Sequence, residues 1–158
     1  MPFDPVENKL KILILATLSG GYAGADAVGQ LHHSYAANTY VLPVLCPCIF
    51  PESFYLRAFK RGIDAILVMY SGTDSPYLGG PERAADLINR TYPLMKERGI
   101  DPRRLRLVAI CTVCTTPFER EIAQMNRLLA EIGPVSAEMQ RAPVPLKGAT
   151  NGGQIHAA

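Results

Sequence analysis

Four short apolar stretches, each followed by a segment with helical spacing, dominate the pattern of this chain. Each stretch is bounded by Gly, Pro or polar residues and is rich in Val, Ile and Leu, which is typical of strands buried on both faces. The predicted strands are residues 10–16, 39–45, 64–69 and 107–110. The predicted helices are residues 23–35, 51–61 and 82–98, and a fourth that begins near Thr116 and ends before Gly133. Strand and helix in alternation predict a parallel sheet covered by helices.

The order of the strands follows from two further constraints. Right-handed crossovers leave few topologies for such a sheet. Pro43 in the second predicted strand lacks a backbone donor, which favours an edge position for that strand. We therefore predict an α/β fold with a flavodoxin-like parallel sheet of about four strands, in the order 2-1-3-4, with helices on both faces.

The domain prediction is a single α/β domain over residues 1–134. From residue 135 onward Pro, Gly, Ala and Lys dominate without periodicity, so residues 135–158 are expected to form an extended or mobile C-terminal tail.

Composition excludes several classes of function. Hydrophobic residues at 48% and charged residues at 19% are typical of a folded domain, and a net charge of +2 is too small for a nucleic-acid-binding surface. No apolar run reaches the ~18 residues of a membrane span. The first residues lack the pattern of a signal peptide, so we expect a cytoplasmic, reducing location, where close cysteine pairs indicate metal or redox chemistry.

The four cysteines form two close pairs, and each pair follows a predicted strand. Cys46 and Cys48 follow the second strand, and Cys111 and Cys114 follow the fourth. The carboxyl ends of parallel strands meet at the edge where open α/β sheets bind ligands. Thiolates are soft ligands that select iron–sulfur clusters, zinc or copper(I), and four of them match a cluster or a structural zinc site. We favour an iron–sulfur cluster held by all four cysteines.

Other interpretations of the cysteines stay open. Free cysteines can be buried small hydrophobic residues, and Cys111 with Cys114 could form a redox-active dithiol. In the predicted order the second and fourth strands are three spacings apart, about 14 Å at ~4.8 Å each. The two pairs meet only if the outer loops fold inward over the middle strands. Small residues in the middle loops, among them Ser19 and Gly72, leave room for this movement.

The remaining candidates are weaker. The turn at residues 17–22 combines hydroxyls and glycines that could cradle a phosphate of a flavin, although a plain tight turn explains it better. We interpret His32 and His33 as exposed or capping residues. Three arginines are interpreted as a solvated face that could dock an acidic partner: Arg103, Arg104 and Arg106. No Ser–His–Asp arrangement or convincing carboxylate pair is present, so we expect no substrate chemistry on this chain alone.

Segments spread along the chain resemble a known family, the delta subunit of methyl-viologen-reducing hydrogenase. The segments are residues 22–26 (YAGAD), 44–46 (VLC), 56–65 (LRAFKRGIDA) and 99–107 (GIDPRRLRL). The likeness covers roughly residues 10–134, and it depends on the segments taken together in this order.

The resemblance implies a small electron-transfer subunit with one [2Fe-2S] cluster. Such a subunit sits between a hydrogenase or another electron donor and a flavoprotein like the A subunit of heterodisulfide reductase. These complexes occur in anaerobes and often carry out flavin-based electron bifurcation. In the family the ligand cysteines follow the first, second and third strands.

This sequence departs from that ligand pattern. The turn after the first strand has Ser19, and the loop after the third strand has Ser71 and Ser75 where the family has cysteines. Cys46 alone matches a family ligand position. Either the cluster is now held by Cys46, Cys48, Cys111 and Cys114, or the cluster is lost and the subunit is a structural adaptor. A zinc site remains a further alternative.

Overall fold

A parallel sheet forms the centre of the protein. The computed structural model describes residues 10–72, 75–110 and 115–141. Within these residues the sheet has four strands: β1 (Ile12–Thr17), β2 (Thr39–Val44), β3 (Ala65–Tyr70) and β4 (Leu105–Ala109). The strands are all parallel and their order is β2-β1-β3-β4, so the predicted flavodoxin-like topology is confirmed.

Helices cover both faces of the sheet. They are α1 (Gly21–Gln30), α2 (Glu52–Lys60), α3 (Gly80–Glu97), α4 (Thr115–Ile132) and α5 (Val135–Arg141). Buried residues of α1 and α4 form one apolar cluster against the sheet, and those of α2, α3 and α5 form a second cluster on the opposite face. In the part of the chain that the structure describes, no helix is both long and apolar enough to cross a membrane.

The two central strands are apolar on both sides because each side faces a different cluster. In β1, Ile14 packs on the α1–α4 side and Leu15 on the α2–α3 side, and in β3 the same alternation places Leu67 and Val68 on opposite sides. β2 lies at the edge, as Pro43 predicts, and its Tyr40 and Leu42 are exposed.

Arg104 corrects the interpretation of the three arginines as a solvated face. Its side chain is 0% exposed. Nε and Nη2 donate to the Glu138 carboxylate over 3.0 and 2.9 Å, and the guanidinium also donates to the backbone carbonyls of Asp64 and Gly133. Arg103 is more than half exposed and Arg106 partly so. A cluster of basic residues in the sequence cannot by itself distinguish a surface arginine from a buried arginine that hydrogen-bonds to several secondary-structure elements.

Helix α5 corrects the expectation that aperiodic chain begins at residue 135. Val135 is buried and its backbone N–H donates to Asp64 Oδ1 over 2.9 Å, while Glu138 binds Arg104. A helix of this length produces little periodic signal and depends on such tertiary contacts for its stability. Residues 142–158 lie outside the described residues, and the domain division at residue 134 stays a prediction.

The buried arginine leads to a stability prediction. Replacing Arg104 with Met removes a buried ion pair and leaves Glu138 and two carbonyls without their donor, so we expect a loss of about 3 kcal/mol in the free energy of unfolding. Arg103→Met is the matched control at the adjacent, exposed position and should leave the urea midpoint nearly unchanged. Equal midpoints for both variants would contradict the role assigned to Arg104.

Candidate functional site

The loops that leave β1, β2 and β3 meet at the carboxyl edge of the sheet. They enclose a small cavity of about 10 Å³, which is room for about one water. Side chains and backbone from all three loops and from the start of α3 line it: Thr17, Ser19, Cys46, Ser71, Ser75 and Gly80. These residues therefore converge at the carboxyl edge of the sheet, where the sequence predicted a ligand site.

Cys46 and Cys48 lie together beside this cavity. A short 3₁₀ turn at Pro47–Ile49 follows β2 and brings the two Sγ atoms to 2.8 Å from each other. Both are free thiols; Cys46 is 3% exposed, whereas Cys48 is partly exposed. The structure thus brings the first predicted pair together. Cys111 and Cys114 lie outside the described residues, so convergence of all four thiols stays a prediction.

The pKa of the Cys48 thiol is perturbed by its surroundings. Burial raises the pKa of Cys48 above its ordinary value, and the hydrogen bond to Cys46 and the charge of Cys46 raise it further. The guanidinium of Arg83 in α3 acts in the opposite direction. The raised pKa means that the Cys48 thiol holds its proton at neutral pH, so that binding of a metal ion to its thiolate would release that proton.

The first turn of α3 lies against Cys46. A Cβ atom on Gly80 would lie 3.4 Å from Cys46 Sγ and 2.9 Å from Ser75 Oγ, so the helix backbone approaches the sulfur as closely as a glycine allows. Gly79 precedes it with a φ of +69°, and no side chain caps the helix. The positive end of the α3 dipole therefore faces the sulfur, an arrangement that favours negative charge nearby.

Serine side chains occupy the ends of β1 and β3. Ser19 Oγ and Ser71 Oγ are 2.9 Å apart. A Cβ on Gly20 would lie 2.7 Å from the backbone nitrogen of Ser71, and one on Gly21 would lie 2.5 Å from Met69 Cβ. The small residues are thus needed for packing of one loop against the other, and this packing takes up part of the room that the sequence led us to expect above the middle strands.

The same packing explains the turn at residues 17–22. Its glycines allow α1 to approach the end of β3, which is the role of a tight turn. A phosphate cradle is not needed to explain them.

Two buried hydroxyls at this edge lack hydrogen-bond partners among the described residues: that of Thr17, which belongs to the candidate turn at residues 17–22, and that of Tyr55, which the sequence pattern did not single out. Tyr55 lies in α2 and is completely buried. Its pKa is raised, chiefly by burial and then by the charges of Cys48 and Cys46. In the sequence, a tyrosine on the apolar face of a helix cannot be distinguished from an ordinary core residue. Only its burial and its missing hydrogen-bond partner in the structure mark Tyr55 as a candidate functional residue.

The donor set is partly described. Over residues 10–72, 75–110 and 115–141, no three His, Cys, Asp or Glu side chains converge as a metal site. The described part supplies two soft thiol donors, which suit an iron–sulfur cluster or zinc. Among the histidines, His33 is half exposed, and its Nδ1 lies 3.2 Å from the Glu119 carboxylate.

Fold and site together define a class of protein: a flavodoxin-like α/β domain with a thiol pair at the ligand-binding edge of its sheet. The chain matches the FlpD family, described as methyl-viologen-reducing hydrogenase, delta subunit, over residues 12–133. It belongs to this family, and the resemblance stated from the sequence is confirmed.

Individual relatives fall into two groups, of which the first consists of small iron-sulfur subunits of F420-non-reducing hydrogenases. The chain is 25% identical to the vhu iron-sulfur D subunit of Methanocaldococcus jannaschii over 132 residues, covering 83% of this chain and 95% of the relative. It is 28% identical to the iron-sulfur D subunit of Archaeoglobus profundus over 119 residues, which are 74% of this chain and 86% of that protein.

The second group consists of much longer proteins. The chain is 32% identical over 121 residues to the A subunit of the ferredoxin:CoB-CoM heterodisulfide reductase of Methanosarcina mazei, with 76% of this chain covered. It spans only 15% of the length of that protein, and the same share of its counterpart in Methanosarcina acetivorans.

Two glycines of α1 provide a test of the packing at the site. Gly21→Ala places a Cβ against Met69 and should cost about 1–3 kcal/mol of unfolding free energy. Gly29→Ala is the matched control, because nothing lies within 4 Å of its added Cβ. It should stabilise the helix by roughly 0.5–1 kcal/mol. Thermal and urea unfolding measure both changes; a stabilised Gly21→Ala variant would contradict the close packing described.

Proposed function

We propose that this chain is an electron-transfer subunit that holds an iron–sulfur cluster at the carboxyl edge of its sheet. The proposed ligands are Cys46, Cys48, Cys111 and Cys114, and the proposed cluster type is [2Fe-2S]. The chain works inside a larger oxidoreductase complex and has no substrate chemistry of its own. The cytoplasmic location expected from the sequence belongs to the same proposal.

The single observation that carries the proposal is the paired thiols of Cys46 and Cys48, 2.8 Å apart at the end of β2. Relatives that align over most of their length with this chain are named iron-sulfur subunits, which supports a cluster here too. The donor chemistry fits, because thiolates are the usual ligands of such clusters. When bound, the cluster would supply one-electron redox chemistry.

The chain's own residues prepare this edge for a negatively charged centre. The N-terminus of α3 and the guanidinium of Arg83 provide positive charge beside the thiols. Burial of Cys46 shields one sulfur from water, while the partial exposure of Cys48 leaves a route for a partner to approach. Burial, charge and hydrogen bonding are the factors by which a protein tunes a cluster's potential.

Iron and acid-labile sulfide analysis of anaerobically purified protein tests the proposal. We expect about two irons and two sulfides per chain, the content of a [2Fe-2S] cluster. Cys48→Ser and Cys114→Ser should each lose most of both, because serine is a poor substitute for a thiolate. Ser71→Ala is the matched control: it leaves the iron content unchanged if the four cysteines are the ligands.

Other outcomes of that analysis are equally informative. Loss of iron in Ser71→Ala, with iron retained in Cys114→Ser, would assign the cluster to the family ligand positions instead. Zinc in place of iron would identify a structural metal site. No metal, with four titratable thiols in the denatured chain, would overturn the proposal.

A cofactor-free adaptor protein is the second candidate. The serines at the ends of β1 and β3, and the water-sized cavity that they enclose with Cys46, favour it. A complex whose electron transfer is undiminished by Cys46→Ser would support this function over the first. A flavin-binding protein is the weakest alternative, because packing explains the glycines of the turn after β1. Flavin absorbance in the purified complex would support this alternative.

The proposed partner is a flavoprotein resembling the A subunit of heterodisulfide reductase, with a hydrogenase or another oxidoreductase as a further component. In the two Methanosarcina relatives, a segment similar to this chain is part of the longer reductase polypeptide itself. A separate chain of the same family can bind non-covalently to a reductase A subunit, in the place that the similar segment occupies within the longer polypeptide. Exposed apolar side chains near the thiols suit such a contact: Leu18, Leu45, Ile49 and Leu78.

Leu78 provides a test of the partner surface. It is 99% exposed in the loop before α3, next to the site. Leu78→Asp should weaken binding to the flavoprotein about tenfold or more, because a charge then enters an apolar contact. Leu31→Asp is the matched control, since Leu31 is 57% exposed but follows α1 at the opposite edge of the sheet. Calorimetry with the purified partner measures both; equal effects would contradict the assigned surface.

A further inference from the structure

The hydroxyl of Tyr55 is a buried donor without an acceptor. The side chain is 0% exposed, and the hydroxyl has no partner among the described residues. Buried polar groups in folded proteins are almost always hydrogen-bonded, so each exception calls for a partner such as a water, an ion or a ligand. Three other buried atoms of the described residues share this state: Thr17 Oγ1, Asn38 Oδ1 and Thr39 Oγ1. Tyr92 shows the usual arrangement, because its hydroxyl donates to the carbonyl of Leu105 over 3.2 Å.

The position of Tyr55 directs it toward the thiol pair. It lies in the first turn of α2, which begins three residues after the turn at Pro47–Ile49 that carries the sulfurs. Side chains on a helix lean toward its N-terminus, which here is the side of the cysteines. Burial raises the pKa of this hydroxyl most, and the charges of Cys48 and Cys46 raise it further. Tyr55 belongs to the apolar cluster that α2, α3 and α5 form against the sheet.

We propose that the Tyr55 hydroxyl donates a hydrogen bond to a ligand sulfur of the Cys46–Cys48 pair when the site holds its metal centre. Tyr55 is then a positioning residue: it acts through the sulfur, without binding the metal. This inference rests on the proposed function, because the acceptor is a metal-bound thiolate. A hydrogen bond to a ligand sulfur withdraws electron density from it and raises the reduction potential of the centre.

Tyr55→Phe tests the inference in the metal-free and loaded protein. In the metal-free protein the variant should be as stable as wild type or more stable, because it removes a hydroxyl that has no partner. In the loaded protein it should lower the midpoint potential in an EPR-monitored titration. Tyr92→Phe is the matched control: it removes a hydrogen bond that is made, so it should lower stability and leave the potential unchanged.

The outcomes separate this inference from the proposed function. If wild-type protein binds no cluster, the proposed function fails. The role of Tyr55 is then tested by titrating the thiols with Cd²⁺, with the charge-transfer absorbance of the Cd²⁺–thiolate bonds as the measured signal. Loss of a group that hydrogen-bonds to a metal ligand commonly weakens metal binding about tenfold or more, and we expect that change for Tyr55→Phe. Equal potentials, or equal Cd²⁺ affinities, in wild type and Tyr55→Phe would overturn the inference.

A second substitution covers the case in which Tyr55→Phe does not fold. Introducing 3-fluorotyrosine at position 55 alone keeps the hydroxyl and makes it a stronger donor. The potential should then rise, opposite in sign to the effect of Tyr55→Phe. An unchanged potential in the fluorinated protein would likewise overturn the inference.

Discussion

The parallel register of β1 with its two neighbours is the constraint on which the site depends. Thr17 pairs with Val44, and Ala16 pairs with Met69, so the three strands end at nearly the same level. Two residues beyond Thr17, Val44 and Met69 come Ser19, Cys46 and Ser71, which line the same cavity. A shift of one residue in either pairing would separate these three side chains, because it turns the side chains of the shifted strand to the opposite face.

This register explains how the residues at the edge can vary without a change of fold. Ser19 and Ser71 follow β1 and β3, and their hydroxyls lie 2.9 Å apart, as partners in a compact contact. Cys48 lies in the turn at Pro47–Ile49, which is outside the sheet and leaves the strand pairing undisturbed. The candidate donor side chains therefore lie in loops, while the core strands are apolar.

The sequence was sufficient to predict those features that depend on hydrophobic periodicity or on the chemistry of single residues. Alternating apolar runs and helical spacing predicted the sheet, Pro43 predicted the edge strand, and the close spacing of Cys46 and Cys48 predicted the thiol pair. It was insufficient for Arg104, α5 and Tyr55, since each depends on contacts between residues far apart in the chain or on a missing contact. Arg104 and Glu138 are 34 positions apart, and neither carries a local sign of being paired.

The electrostatics of the edge are consistent with a negatively charged centre. α1 and α3 both begin at this edge with glycines and without side-chain caps, so the positive ends of both helix dipoles lie there. Arg83 adds a full positive charge near Cys48. Hydroxyls can donate to sulfur where a thiolate would repel it. A cluster held by the proposed cysteine ligands would therefore find hydroxyl donors in Ser19 and Ser71 and positive charge from Arg83 at this edge, an environment that stabilises a negatively charged centre.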